Sequence, residues 1–183
     1  MEPDLHGIAE RAGAAPTPVV LIDGRSGSGK SELAAALAPL LSRAGGRAGP
    51  SAAQAQPAQL VRLDDIYPGW GGLEAASAAV VTDILSLHRW RRWDWGTSSP
   101  AEWHELDPTR PLIVEGCGAL SRASRKLATF AIWVELDEPT RKARALARDG
   151  DAYASHWDRW AAQEDVFLAR EDPAGLADLV VSG

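Results

Sequence analysis

The chain has 183 residues, 45% hydrophobic and 24% charged, which suits a single α/β or α+β domain whose core needs no staples. These proportions exclude a disordered tail protein, a collagen-like rod and a small disulfide scaffold. The formal net charge of −6 argues against a protein that coats nucleic acid by bulk charge. Cys117 is the only cysteine, so neither an internal disulfide nor a CxxC zinc site is expected. No apolar run approaches a membrane span, and the first residues lack a signal pattern, so a cytoplasmic protein without a membrane partner is expected.

Residues 2–13 read as a short helix ended by Pro16 and Pro18. Pro18 to Asp23 (PVVLID) is an apolar, β-branched run of the kind that forms a fully buried strand. A Gly-rich segment follows, and from Lys30 to Arg43 the leucines 33, 37, 40 and 41 fall at helical spacing. Residues 44–59 are small, polar and Pro-interrupted, a loop or insertion. Leu60–Leu63 is a second strand, residues 74–89 a helix, and Arg91–Arg110 an irregular, Trp-rich stretch. Pro111–Glu115 is a third strand, 119–128 a helix, and Thr129–Leu136 a fourth strand. Two helices, Glu138–Arg148 and Tyr153–Glu171, flank a break at Asp149-Gly150-Asp151, and Leu176–Val181 is a fifth strand. Strands alternating with helices predict an α/β fold with a doubly wound, mainly parallel sheet of about five strands. The domain is single, with a core over 18–136, an acceptor-binding insert at about 64–110 and a lid at about 141–160.

Residues 24–31 carry the strongest signal. Gly24-Arg25-Ser26-Gly27-Ser28-Gly29-Lys30-Ser31 is GxxxxGKS placed directly after a strand and before a helix, the context of a P-loop. Its glycines let the backbone turn N–H groups inward around a phosphate, and the helix beginning at Lys30, Ser31 and Glu32 adds its positive end. Lys30 supplies a point charge to the β and γ phosphates, and the Ser31 hydroxyl is a ligand for Mg²⁺. ATP and Mg²⁺ are therefore the expected cofactors. A guanine-reading Asn-Lys-x-Asp motif is excluded because the chain contains no Asn. No LSGGQ-like signature and no strand-ending Asp-Glu pair is present, which sets ABC and AAA-type ATPases aside.

A small phosphotransferase remains. Asp64 and Asp65 end the second strand, where one of them is a base for a substrate hydroxyl or a Mg²⁺ ligand, the other reading being a turn or helix cap. Glu115 ends the third strand and is either a Mg²⁺ ligand or a solvated strand-end carboxylate. Arg141, Arg144 and Arg148 share a helix face, as lid arginines for the transferring phosphate or as a solvated charged face. Five of the eight Trp (70, 90, 93, 95, 103) fall between the second and third strands. Within that stretch Arg92, Trp93, Asp94 and Trp95 could bind the acceptor: the rings by stacking on a base, Asp94 by a hydrogen bond, the arginines through a phosphate. A nucleoside acceptor needs the stack alone, a nucleoside monophosphate needs the stack and the arginines, and a pantothenate-like acceptor needs no stack. Packing is the competing role for each ring.

Taken together, GRSGSGKS, DDIY, the WDW at 93–95 and IVEGCGAL resemble the uridine kinase-like branch of P-loop kinases, which includes pantothenate kinases and phosphoribulokinase-like proteins. The resemblance spans most of residues 18–150. It implies that Asp64 is the base, that Tyr67 is the aromatic end of the acceptor motif, that Glu115 serves the metal, and that Arg144 and Arg148 are lid arginines. Two departures stand out. Ile66 stands where the family has an aromatic residue, and the insert reads as too short for the hairpin that many uridine kinases close over the base. The expectation is thus an ATP-dependent kinase for a small nucleoside-like acceptor, with no nucleic-acid partner. The alternatives are a kinase for another metabolite or an ATP-binding switch. The oligomeric state is open, a homodimer being one option.

Overall fold

A computed structural model describes residues 4–44 and 57–182. Most of the expected 44–59 loop lies outside the described residues. Five strands form one parallel sheet: β1 (Val19–Asp23), β2 (Gln59–Arg62), β5 (Leu112–Glu115), β6 (Phe130–Glu135) and β7 (Leu179–Ser182), in the order β2-β5-β1-β6-β7. A separate antiparallel pair, β3 (Arg89–Asp94) and β4 (Ser99–Glu105), forms a hairpin.

The central strands are apolar on both faces, and consecutive side chains feed two different cores. Val20, Ile22, Ile113, Ile132 and Val134 pack against α1 (Leu5–Ala12) and α2 (Lys30–Ala44) through Ile8, Leu33, Leu37 and Leu41. Leu21, Val61, Val114 and Ala131 face the other layer, with α3 (Leu73–Ala79), α4 (Glu138–Ala154) and α5 (Trp157–Glu171) contributing Leu73, Ala145, Trp160 and Phe167. Helices on both faces make the sheet doubly wound. From β1 the chain crosses to β2 on one side, and after β5 it passes β1 to reach β6 on the other. The strand order therefore reverses beside β1, at the crevice where such sheets bind ligands. Asp23, Arg62 and Glu115 end their strands on that edge, with Arg62 and Ile22 both in register with Glu115.

Five expectations need correction. Residues 91–105 are not irregular but belong to the hairpin, for which the chain does have room, and only 106–110 remain loop and turn. Asp94 makes its turn by accepting from the N–H groups of Gly96 (2.9 Å) and Thr97 (3.3 Å). β3 reads Arg-Trp-Arg-Arg-Trp-Asp, and a register shift between Arg91 and Trp93 breaks its period of two. Residues 119–128 form no helix beyond one 3₁₀ turn at Ser124–Lys126. There Asp23 accepts from the Leu120 N–H (2.8 Å) and the Ser124 hydroxyl donates to the Ala119 carbonyl (2.8 Å), which competes with helical bonding. The helix over 74–89 widens into a π segment at Val80–Leu85, where the Ser86 hydroxyl donates to the Val81 carbonyl at 2.6 Å. The fifth strand starts at Leu179, because Pro173–Leu176 forms a short helix, α6, capped by the Asp172 side chain. The break expected at Asp149-Gly150-Asp151 is a kink inside α4 at Gly150 (φ 62°, ψ −151°), and α4 runs on to Ala154 before α5 begins at Trp157.

Candidate active site

The loop between β1 and α2 wraps as its glycines predict. Gly27 has a φ of +81°, and a Cβ there would lie 2.2 Å from the Arg141 carbonyl oxygen, so only glycine permits this approach. Lys30 opens α2 and is 7% exposed; its Nζ donates to the Arg25 carbonyl at 3.0 Å and reaches Cys117 Sγ at 3.5 Å. Burial opposes its charge, but Cys117, Glu115, Glu164 and Asp23 more than offset this and leave its pKa raised. Asp23 lies beneath the loop, accepting from the N–H groups of Gly24 (2.6 Å), Gly118 (3.1 Å) and Leu120 (2.8 Å). Burial pushes its carboxyl up to about 7 against the pull of those amides and of Lys30. Asp23 thereby ties the P-loop to the loop after β5.

Two cavities meet at Lys30. The first, about 480 Å³, lies along the start of α2 and is lined by Gly27, Gly29, Lys30, Ser31, Glu32, Arg144 and Arg148 among others. The second, about 430 Å³, opens over the ends of β2 and β5. Gly27, Lys30, Ser31 and Arg148 line both. The second alone includes Asp64, Glu115 and an aromatic wall of Tyr67, Trp70, Trp95, Tyr153 and Trp160. Trp70 is the centre of that wall, stacked on Tyr153 (5.3 Å, 16°) and His156 (4.5 Å, 18°) and tilted against Trp95 (5.0 Å).

Asp64 sits in a 3₁₀ turn, Leu63–Asp65, directly after β2 and lines the aromatic cavity. The Trp95 indole reaches across from the hairpin and donates to the Asp64 carbonyl at 3.0 Å. Asp65 does not line the cavity; burial and the neighbouring Asp64 raise its pKa, against the charges of Arg62, Arg92 and His104. Glu115 is 2% exposed, and its Oε1 is buried without a hydrogen-bond partner. Burial raises its pKa; Lys30 and a hydrogen bond from Ser31 lower it, while Asp64 raises it further. A buried carboxylate oxygen that accepts no hydrogen bond and is paired only loosely with Arg62 Nε at 3.8 Å, beside the Ser31 hydroxyl and with Asp64 in the same cavity, is a donor set that fits Mg²⁺. That ion takes one or two carboxylates and fills its remaining positions with water and phosphate oxygens. Among the described residues no group of three or more His, Cys, Asp or Glu forms a denser site.

Several predicted residues lie elsewhere. Arg25, expected at the phosphates, turns its guanidinium to Glu164 (2.9 Å) and Asp165 (2.8 Å), because the loop closes against α5. Arg92 is held by Glu102 (2.7 Å) on the hairpin, and with Trp93 it lines a separate shallow groove beside Ile66 and Pro68. Asp94 is used by its own turn, whose amides lower its pKa. Of the expected acceptor quartet only Trp95 reaches the cavity. Tyr67 contributes its ring, but its hydroxyl is engaged with the Cys117 carbonyl at 2.8 Å. Arg148 is paired with Asp149 (2.8 and 2.7 Å), which raises its pKa, while Arg144 faces the α2-side cavity only. Tyr153, Trp160 and Glu164 are not legible as site residues, since no motif joins them to the P-loop, while Trp70 and Cys117 fall in the Trp-rich stretch and in IVEGCGAL without a role of their own. The aromatic spacing of Tyr153, Trp157 and Trp160 after Gly150 was the one available signal.

No family model and no curated protein matches this sequence. Solved structures do match. One is described as a possible uridine kinase from Bacillus stearothermophilus: TM-score 0.63, 20% identity, with 97% of this chain and 96% of that chain covered. Another is described as a fructose transport system kinase from Silicibacter sp. TM1040: TM-score 0.54, 20% identity, covering 98% and 99%. The chain thus has the fold of the P-loop kinases along nearly its whole length. Among the described residues no helix is long and apolar enough to cross a membrane.

Proposed function

We propose that this chain is an ATP-dependent small-molecule kinase that passes the γ-phosphoryl group to a hydroxyl of a nucleoside or nucleotide-like acceptor in the cytoplasm. One observation carries the reading. Two cavities share Lys30, Ser31, Gly27 and Arg148, and only one of them is lined by the strand-end carboxylates Asp64 and Glu115 and by an aromatic wall. A nucleotide-driven switch has no need of the second cavity.

In this reading the backbone N–H groups of residues 27–31 and Lys30 bind the phosphates from the α2 side. Ser31 and Glu115 hold Mg²⁺, which when bound neutralises charge on the phosphate oxygens. Asp64 accepts the proton of the acceptor hydroxyl as its oxygen bonds to the γ-phosphorus and the bond to the β–γ bridging oxygen breaks, releasing ADP. Arg148 faces both cavities and, with Arg144, stabilises the charge on the group in transit. Trp70, Trp95 and Tyr153 hold a planar acceptor and exclude water.

Incubation with Mg²⁺-ATP and a panel of nucleosides, nucleoside monophosphates, sugars and vitamins tests this. ADP formation stimulated by a nucleoside-type acceptor is the expected result. ATP binding with no stimulation by any acceptor would favour the switch.

A further inference from the structure

Ser26 occupies a position that the GxxxxGKS pattern leaves unspecified, yet each of its polar groups is engaged by a distant side chain. Its N–H donates to Glu164 Oε1 at 2.7 Å, its carbonyl accepts from Arg141 Nη1 at 3.1 Å, and its hydroxyl accepts from the Tyr153 hydroxyl at 2.8 Å. Glu164 is the hub. It is 4% exposed, comes from the middle of α5, and also takes Arg25 Nε (2.9 Å), Trp160 Nε1 (3.1 Å) and Cys117 Sγ (3.2 Å). A carboxylate collecting four donors in a buried setting is an expensive arrangement to maintain for packing alone.

We propose that Glu164 is a positioning residue for the nucleotide, acting through Ser26 to hold the first half of the P-loop in its phosphate-binding shape. The inference rests on the reading of the P-loop as an ATP site. The short, charge-assisted bond to the Ser26 N–H fixes the Arg25–Ser26 peptide plane, directly before Gly27. Arg25 neutralises Glu164 from the opposite side, so the carboxylate can lie close to an anion site without repelling its ligand. Arg141 and Tyr153 hold the same residue from α4, so the helices that carry the lid arginines and the loop that carries Lys30 share one joint.

The test is the Kd for Mg²⁺-ATP, measured by calorimetry, which needs no acceptor, with far-UV circular dichroism and thermal unfolding beside it. Glu164→Gln keeps the shape and removes the charge, and should raise the Kd at least about tenfold, the effect of one lost charge-assisted bond. Tyr153→Phe removes one neutral bond and should raise it about two- to fivefold. Arg25→Met should weaken binding by itself, and combined with Glu164→Gln should cost less than the product of the two single effects, because the pair acts as a unit. A purely structural role would lower the unfolding temperature and leave the Kd of the folded protein unchanged, which would overturn the proposal. If Glu164→Gln does not fold, unchanged Kd values in both Tyr153→Phe and Arg25→Met overturn it equally. Failure of the wild-type chain to bind Mg²⁺-ATP would instead remove the ATP-site reading.

Discussion

The two cavities that meet at Lys30 are built from different material. The α2-side cavity is lined by the end of the P-loop and the start of α2 (Gly27 and Gly29–Glu32) with Arg144, Ala145, Ala147 and Arg148 of α4 opposite, and a contiguous motif encodes its backbone half. The aromatic cavity is made by side chains drawn from β2, the loop before α3, the hairpin, the loop after β5 and both long C-terminal helices. A backbone-built site tolerates change around it, because amides are independent of side-chain identity. A side-chain-built site can be retuned one ring at a time, which suits the acceptor side of the kinase proposed above.

Substitutions should separate the two halves. Lys30→Ala should have the largest effect, cutting turnover by about 10²–10³-fold with loss of ATP affinity, since it removes a preorganised charge from both cavities. Asp64→Asn lies on the aromatic side alone; turnover should fall at least about a hundredfold while the ATP Kd stays at the wild-type value. Equal turnover in that variant would transfer the base to Asp65 or dispense with one. Trp95→Ala should raise the acceptor KM by about tenfold and spare ATP binding, the size of one lost stacking surface. If ATP binding weakened as much, the division between the cavities would be broken.

A smaller effect should appear in stability against pH. The Asp23 carboxyl holds its proton up to about 7 in the fold, against an ordinary value of 3.8. The folded chain thus binds that proton more tightly than the unfolded chain, and the stabilisation it brings is full below about pH 4 and is lost as pH rises to about 7. Thermal unfolding followed from pH 5 to 8 should show the melting temperature declining towards neutrality, with a shallower slope in Asp23→Asn. Arg92→Ala should do least, leaving both Kd and KM within about twofold, because its partner is an exposed glutamate on the hairpin.

The parallel sheet and the P-loop were legible because their information is local: β-branched runs, leucines at helical spacing, and glycines that free the backbone beside Lys30. The acceptor wall was only half legible. The excess of Trp between β2 and β5 was visible, but which rings face the cavity depends on pairing across the hairpin. Trp70 and Trp95 reach it; Trp90 stacks on His104 (4.2 Å, 15°), Trp103 lies exposed under Arg89 (4.5 Å), and Trp93 faces the other groove. Tyr153, Trp160 and Glu164 lie more than a hundred residues from the loop they serve, and no spacing rule connects them. Arg25 was misplaced for the same reason, since a motif position says nothing about a carboxylate arriving from α5.

Gly150 has a mechanical consequence. Its φ and ψ belong to a region that only glycine enters freely, although nothing lies within 4 Å of the space a Cβ would fill. The residue therefore sets helical phase. It fixes the azimuth of Tyr153, anchored on Ser26, relative to Arg148, which looks into both cavities. Another residue there carries backbone strain, and relieving it by turning one half of α4 against the other would move the arginine or the tyrosine although no packed contact of its own is disturbed.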